Sequence, residues 1–272
     1  MPSMQPCVKK GSPVLNLGVR ASNNPVMLVA RFHVNPAVPR RLTLARGFTL
    51  TEMAVVLVIV ALLIAGMMLP LSAQQDIRAR QETERTLKDV QEALLGFAVT
   101  NGRLPCPANL ASNGFETPVG GVCACVSPDC FLPAATLGIA PINAVGQALD
   151  GWQNPIRYAV TSANTSAFTT VSGMKNAWGS LAPDLQICAT GACANQLASN
   201  AVAVIWSTGR NTFQGGTSAD EIENPNLNTG ANPDPTANRF VSRTSGDDFD
   251  DVVVWLSPNI LYNRMITTGK LP

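Results

Sequence analysis

A single histidine, His33, stands in the 272 residues. It lies in the N-terminal stretch, so residues 48–272 hold no imidazole, and catalytic or metal chemistry resting on histidine is excluded there. Acids are absent from residues 1–47, which carry seven positive side chains: Lys9, Lys10, Arg20, Arg31, Arg40, Arg41 and Arg46. Charge is scarce over the whole chain, 14% against roughly 25% in an average soluble domain. There is no Gly-x-Ser-x-Gly elbow and no phosphate-binding glycine loop, which removes two common enzyme classes. Residues 101–272 contain no second apolar run long enough to span a membrane, and no internal repeat.

What is present is polarised. The formal net charge of +1 is the sum of a +7 piece before residue 48 and a −6 piece after it. Between them, every residue from Met53 to Leu69 is apolar or glycine, and the run widens to Phe48–Leu71 when Thr49, Thr51, Glu52 and Pro70 are included. As helix these lengths reach about 25 Å and about 36 Å, bracketing the roughly 30 Å of a bilayer's hydrocarbon core. The run is expected to be a transmembrane helix, and the basic side before it sets the N-terminus in the cytoplasm. A secretory signal peptide cut near Ser72-Ala73 is the competing reading. It is disfavoured by the length of the run and by the large Leu71 where a small residue is preferred.

At the junction stands Arg46-Gly47-Phe48-Thr49-Leu50-Thr51-Glu52-Met53. A lone carboxylate at Glu52 costs about 1 to 3 kcal/mol near the end of a membrane helix. Favourable contact with the positive helix end or a reach toward the headgroups would account for it in part. Arg-Gly-Phe-Thr-Leu-Thr-Glu followed by some twenty apolar residues resembles the cleavage and methylation signal of type IV prepilins and type II secretion pseudopilins. The resemblance implies cleavage between Gly47 and Phe48 by a prepilin peptidase and N-methylation of Phe48. It also implies an assembly role for Glu52, whose carboxylate pairs with the amine of a neighbouring subunit. Opposite charges about 4 Å apart at an effective dielectric near 20 attract by roughly 4 kcal/mol, enough to offset burial. Residues 1–47 are then a leader that is discarded with Cys7 and His33; a start at Met27 would shorten it.

Beyond the expected kink at Pro70, residues 72–100 read as an amphipathic helical half ending at Asn101-Gly102, with Leu87, Val90, Leu94 and Phe97 on one face. Charges of alternating sign, Arg78 to Glu92, fill the other side. Residues 101–272 read as a loop-rich head with strands at Ile156–Val160, Leu185–Cys188, Ala201–Trp206 and Val252–Leu256, and with loops over Gly215–Asn238. The fold class expected is α+β and pilin-like, one long N-terminal helix packed on a small antiparallel sheet. The segments Gly151–Tyr158 and Val204–Asn211 resemble the first strand and the next strand and turn of pseudopilins.

Six cysteines follow the junction: Cys106, Cys123, Cys125, Cys130, Cys188 and Cys193. An even number outside the cytoplasm argues for up to three disulfides. Cys188 with Cys193 closes a small turn, while Cys123 and Cys125 are too close for an easy bridge and pair outward to Cys106 and Cys130. Four thiolates from Cys106, Cys123, Cys125 and Cys130 binding zinc are the alternative. Four carboxylates crowd Asp247-Asp248-Phe249-Asp250-Asp251. This is either a solvated acidic turn or, as its resemblance to the acidic loop of major pseudopilins implies, a calcium site using Asp248, Asp250 or Asp251.

The function expected is that of a non-enzymatic structural subunit, a minor pilin or pseudopilin of a type IV pilus or type II secretion filament. Its partners are then the prepilin peptidase, other pilin or pseudopilin subunits, the inner-membrane assembly platform and the membrane. Its place is the bacterial inner membrane, single-pass with the head periplasmic, and from there a filament. No cofactor beyond calcium and no nucleic acid is expected, the chain after residue 47 being acidic. A membrane-tethered periplasmic enzyme or an adhesin head are the other readings. The head is large and its last cysteine lies far from the C-terminus, which favours a minor over a bulk subunit.

Overall fold

The computed structural model describes residues 47–123, 130–211, 218–224 and 238–272, with the side chains of residues 67–72 outside that description. Cys7, Cys125 and His33 therefore lie outside the described residues, as do the leader 1–46 and most of the loop read at 215–238. Two units divide the chain, Met1–Met53 and Ala54–Pro272.

In the first unit, Thr49 and Glu52 form a capping box. The Glu52 Oε2 atom accepts the Thr49 N–H at 2.8 Å and the Thr49 hydroxyl at 2.8 Å, and the Glu52 N–H donates to Thr49 Oγ1 at 3.2 Å. That reciprocal pairing explains why helix α1, Leu50–Asn101, starts where it does. The helical span runs from Leu50 to Asn101 and includes Pro70. Proline removes one backbone donor without forbidding the flanking turns from continuing. Gly102, with φ +71°, ends it by donating to Ala98 O.

In the second unit the rest of the order is α2 (Ala134–Leu137), β1 (Arg157–Val160), α3 (Ala163–Ser166), α4 (Gly173–Asn176), β2 (Leu185–Cys188), β3 (Gln196–Ala201), β4 (Ala203–Ser207), α5 (Ala219–Glu223), β5 (Arg239–Val241), β6 (Val252–Leu256) and α6 (Pro258–Thr267). One sheet has the order β1-β4-β6 and is antiparallel throughout. The second, β3-β2-β5, corrects the expectation of a single antiparallel sheet, because β2 and β5 run parallel. Strand β3, Gln-Leu-Ala-Ser-Asn-Ala, escaped the sequence reading because it is mostly exposed on both faces and shows no alternation of apolar and polar residues.

The core joins Leu87, Val90, Leu94, Leu95 and Ala98 of α1 to Ile156 just before β1, to Tyr158 and Ile205 of the first sheet and to Leu261 and Met265 of α6. Each Val, Leu, Ile or Met side chain among them gains about 1.5 to 3 kcal/mol on burial. Phe97 is only half-buried and lies under the Arg103 guanidinium, so the apolar stripe turns toward Leu95 and Ala98.

Polar contacts fasten α1 to the head in ascending order. Arg210 pairs with Asp76 at 2.8 Å, and Trp152 Nε1 lies 3.5 Å from the same carboxylate. Gly151 N–H donates to Thr83 Oγ1, Gln91 Nε2 to Trp255 O, and Lys270 Nζ to Thr100 O, at 2.9, 2.9 and 3.0 Å. Gly151 sits so close that a Cβ there would collide with the Ala79 carbonyl, which is why this turn requires glycine. Earlier in α1, residues from Met53 to Ile64 expose nearly all their apolar side chains. Among the described residues no helix is long and apolar enough to cross a membrane; side chains 67–72, which complete the run read in the sequence, lie outside them.

Candidate functional site

The acidic cluster is drawn together from two segments. Asp250 and Asp251 precede β6, and Glu221 comes from α5, whose N-cap Ser218 accepts the Glu221 N–H. Ligand oxygens of Glu221, Asp250 and Asp251 all lie within 4.8 Å of one another. The Asp250 N–H donates to Glu221 Oε1 at 2.9 Å, and Asn211 Nδ2 donates to both Glu221 oxygens at 3.1 Å. Asp250 Oδ2 accepts the N–H groups of Arg210 and Asn211. Asn224 Nδ2 donates to Asp251 Oδ2 at 2.7 Å, while its own Oδ1 accepts Val241 N–H. Burial, together with the charges of Glu221 and Asp250, pushes Asp251 up to about 8 against the pull of Asn224.

Asp248 does not join this group. Its carboxylate meets Arg243 at 2.7 Å, which holds it below the usual carboxylate range, and Arg243 also grips Asp220 at 2.9 Å and lies over the Phe249 ring. The loop therefore splits by function: Asp248 is tied to a cation, whereas among the described residues none of Glu221, Asp250 and Asp251 is in an ion pair. Three convergent carboxylates, with Asp250 Oδ1 buried and lacking a hydrogen-bond partner, fit a hard divalent cation by donor type. Gly209, at φ +61°, permits the approach, since a Cβ there would occupy the place of Asp250 Oδ1. Glu221 was missed in the sequence because it stands 29 residues before Asp250, in a stretch read as loop; Ser218 three residues ahead of it was the helix-start signal.

The cysteines among the described residues fall into disulfides. Cys188 pairs with Cys193, with Cα atoms 5.0 Å apart, across the turn between β2 and β3. Cys106 pairs with Cys123, with Cα atoms 5.3 Å apart, and Cys130 is disulfide-bonded as well. Cys106 and Cys123 are thus unavailable as thiolates, which removes the four-cysteine zinc alternative.

At the junction, a Cβ added at Gly47 would meet no atom of the described residues within 4 Å. Phe48 and Leu50 are exposed at 79% and 87%, and Glu52 Oε1 receives no described hydrogen bond. The family model described as the prokaryotic N-terminal methylation motif matches residues 43–68. The chain carries a prepilin-type cleavage and methylation signal. No curated protein and no solved structure matches it. The prepilin-type signal covers the junction and the apolar start of α1, and the α+β head that follows, with its long helix and small sheets, is compatible with a pilin-like fold.

Proposed function

We propose that this chain is a non-enzymatic structural subunit, a minor pilin or pseudopilin, of a type IV pilus or type II secretion filament. The observation that carries the reading is the methylation signal at residues 43–68 set at the start of a helix whose apolar side chains are exposed from Met53 to Ile64. Bare Val, Leu and Ile on every side of a helix require an apolar surround, which lipid supplies before assembly and neighbouring helices supply within a filament.

In this reading a prepilin peptidase removes residues 1–47 on the cytoplasmic side and Phe48 is N-methylated. Residues 48–71 then sit in the inner membrane, residues 72–100 continue the helix, and residues 101–272 form the head on the periplasmic side. Glu52 guides assembly by offering its unbonded Oε1 to the amine of a neighbouring subunit while Oε2 stays with Thr49. Glu221, Asp250 and Asp251 hold calcium, which supplies positive charge to a carboxylate group that has no cation of its own. Mass spectrometry of the chain co-produced with a prepilin peptidase tests the central claim. A chain that begins with a methylated Phe48 supports it, and any other N-terminus overturns it.

A further inference from the structure

The contacts along α1 rank the parts of the head by height above the bilayer segment. At 1.5 Å per residue, Asp76 stands about 8 Å beyond Leu71, Gln91 about 30 Å and Thr100 about 44 Å. A leaflet's headgroup layer is roughly 5 to 8 Å thick, so the groups that meet Asp76 lie at its outer margin. Those groups are Trp152 and Arg210.

Around them opens a cleft of about 200 Å³ lined by Asp76, Ile77, Arg80, Trp152, Arg210 and Asp250. Its chemistry is mixed: two guanidinium groups, two carboxylates, an indole and the exposed side chain of Ile77. The Arg210–Asp76 pair spans it with side chains 68% and 38% exposed, and a pair so exposed contributes little to stability. Its two members can therefore exchange each other for a ligand of matching charges. An indole that is apolar along its ring and polar at its N–H belongs to the boundary between lipid and water.

We propose that this cleft seats a phospholipid headgroup of the bilayer that holds α1, an inference that rests on reading residues 48–71 as the bilayer segment. Arg210 takes the phosphate together with Arg80, whose half-exposed pair with Glu84 at 3.2 Å leaves its other nitrogens to the ligand, Asp76 takes the ammonium of a phosphoethanolamine group, and Trp152 lies in the interface. The occupant is the host lipid because charge complementarity favours a zwitterion and because the Asp76 end of the cleft stands at the outer margin of the headgroup layer.

The test uses the full chain reconstituted in phosphatidylethanolamine vesicles that contain a lipid with a nitroxide quencher on its headgroup. Trp152 is the reporter: Trp206 is buried, Trp255 stands at the level of Gln91, and Trp178 packs edge-on against Tyr262 of α6. The expected result is tryptophan quenching that disappears in Trp152→Phe. It weakens in the double variant Arg80→Gln/Arg210→Gln, which keeps the reporter, and in vesicles of an uncharged sugar-headgroup lipid. Wild-type quenching no greater than that of Trp152→Phe, in a chain that resists alkaline extraction, overturns the proposal and leaves the membrane reading standing. Quenching that persists undiminished in the double variant also overturns it, since the head then lies near the membrane without holding a phosphate. A chain released by alkaline extraction overturns both readings.

Discussion

Arg103 and Glu116 meet as a buried two-pronged pair, Nη1 to Oε2 and Nη2 to Oε1, both at 2.7 Å, with side chains 8% and 5% exposed. Glu116 Oε2 also accepts the Cys106 N–H at 3.1 Å, beside the Cys106–Cys123 disulfide. The pair thus anchors the chain where it leaves α1. Truncation at Glu116→Ala leaves a guanidinium buried without its partner and is expected to lower the stability of the head by about 3 to 5 kcal/mol. Urea unfolding measures this, and a loss well under about 1 kcal/mol would mean that the cation finds water.

Gly151→Ala should loosen the lower end of the head from α1. The new methyl group meets the Ala79 backbone, so the turn must move away and release the bond from Gly151 N–H to Thr83. Limited proteolysis should then cut near residues 79–83 sooner than in the wild type. Leu94→Ala, a deletion in the fully buried seam, is expected to cost about 2 to 5 kcal/mol without exposing that site.

The calcium assignment separates four acids. At a calcium concentration 100 times Kd, binding adds about 2.7 kcal/mol to stability, seen as a melting temperature higher than in chelator. That increment should vanish in Glu221→Gln and in Asp250→Asn yet survive in Asp248→Asn, whose carboxylate serves Arg243. An equal increment in all three variants would refute the assignment.

Asp150 supplies a pH dependence. It is buried, its Oδ1 accepts the N–H groups of Trp152 and Asn154, and Ser207 donates to its Oδ2. Desolvation outweighs those bonds and raises its pKa. A folded-state pKa above the unfolded value of about 3.9 means that its contribution is fully present below that value and is lost as pH rises through the folded one. Melting temperatures should fall accordingly above the usual carboxylate range, and Asp150→Asn, which keeps an acceptor for the two N–H groups, should flatten that fall.

Glu52→Gln retains the bonds from Thr49 but not the charge. The helix start should survive while assembly with other subunits is lost, a distinction that Glu52→Ala cannot make. Filament or complex recovery after cross-linking reads the difference, and unchanged recovery in Glu52→Gln would remove the ion pair from the scheme.

Much of this was legible in the sequence because the signals were local. Strands β2 and β6 fall on the expected residues, β1 starts one residue late, and α1 stops at Asn101 because Gly102 provides the left-handed turn. The Thr-x-x-Glu spacing at Thr49–Glu52 is itself a local helix-start signal, a capping box that gives Glu52 a partner at the helix end. What local pattern did not reveal depends on distant partners. Strand β3 exists because β2 lies beside it, the three residues of β5 because β2 has another edge, and Glu221 joins Asp250 only through the fold. Helix α6 was missed despite Pro258 at its first turn and Leu261 and Met265 one turn apart on its buried side.

The ascending contacts along α1 also have a mechanical meaning. They are spread from Asp76 to Thr100, with the apolar seam between them, and no single one closes the head. A pull directed along the helix loads them side by side, in shear, so each bears a fraction of the tension. A force that levers the head sideways from the Asp76 end meets them one at a time, as a zipper is opened. Such a body is stiff against extension of the shaft and weaker against peeling from its base.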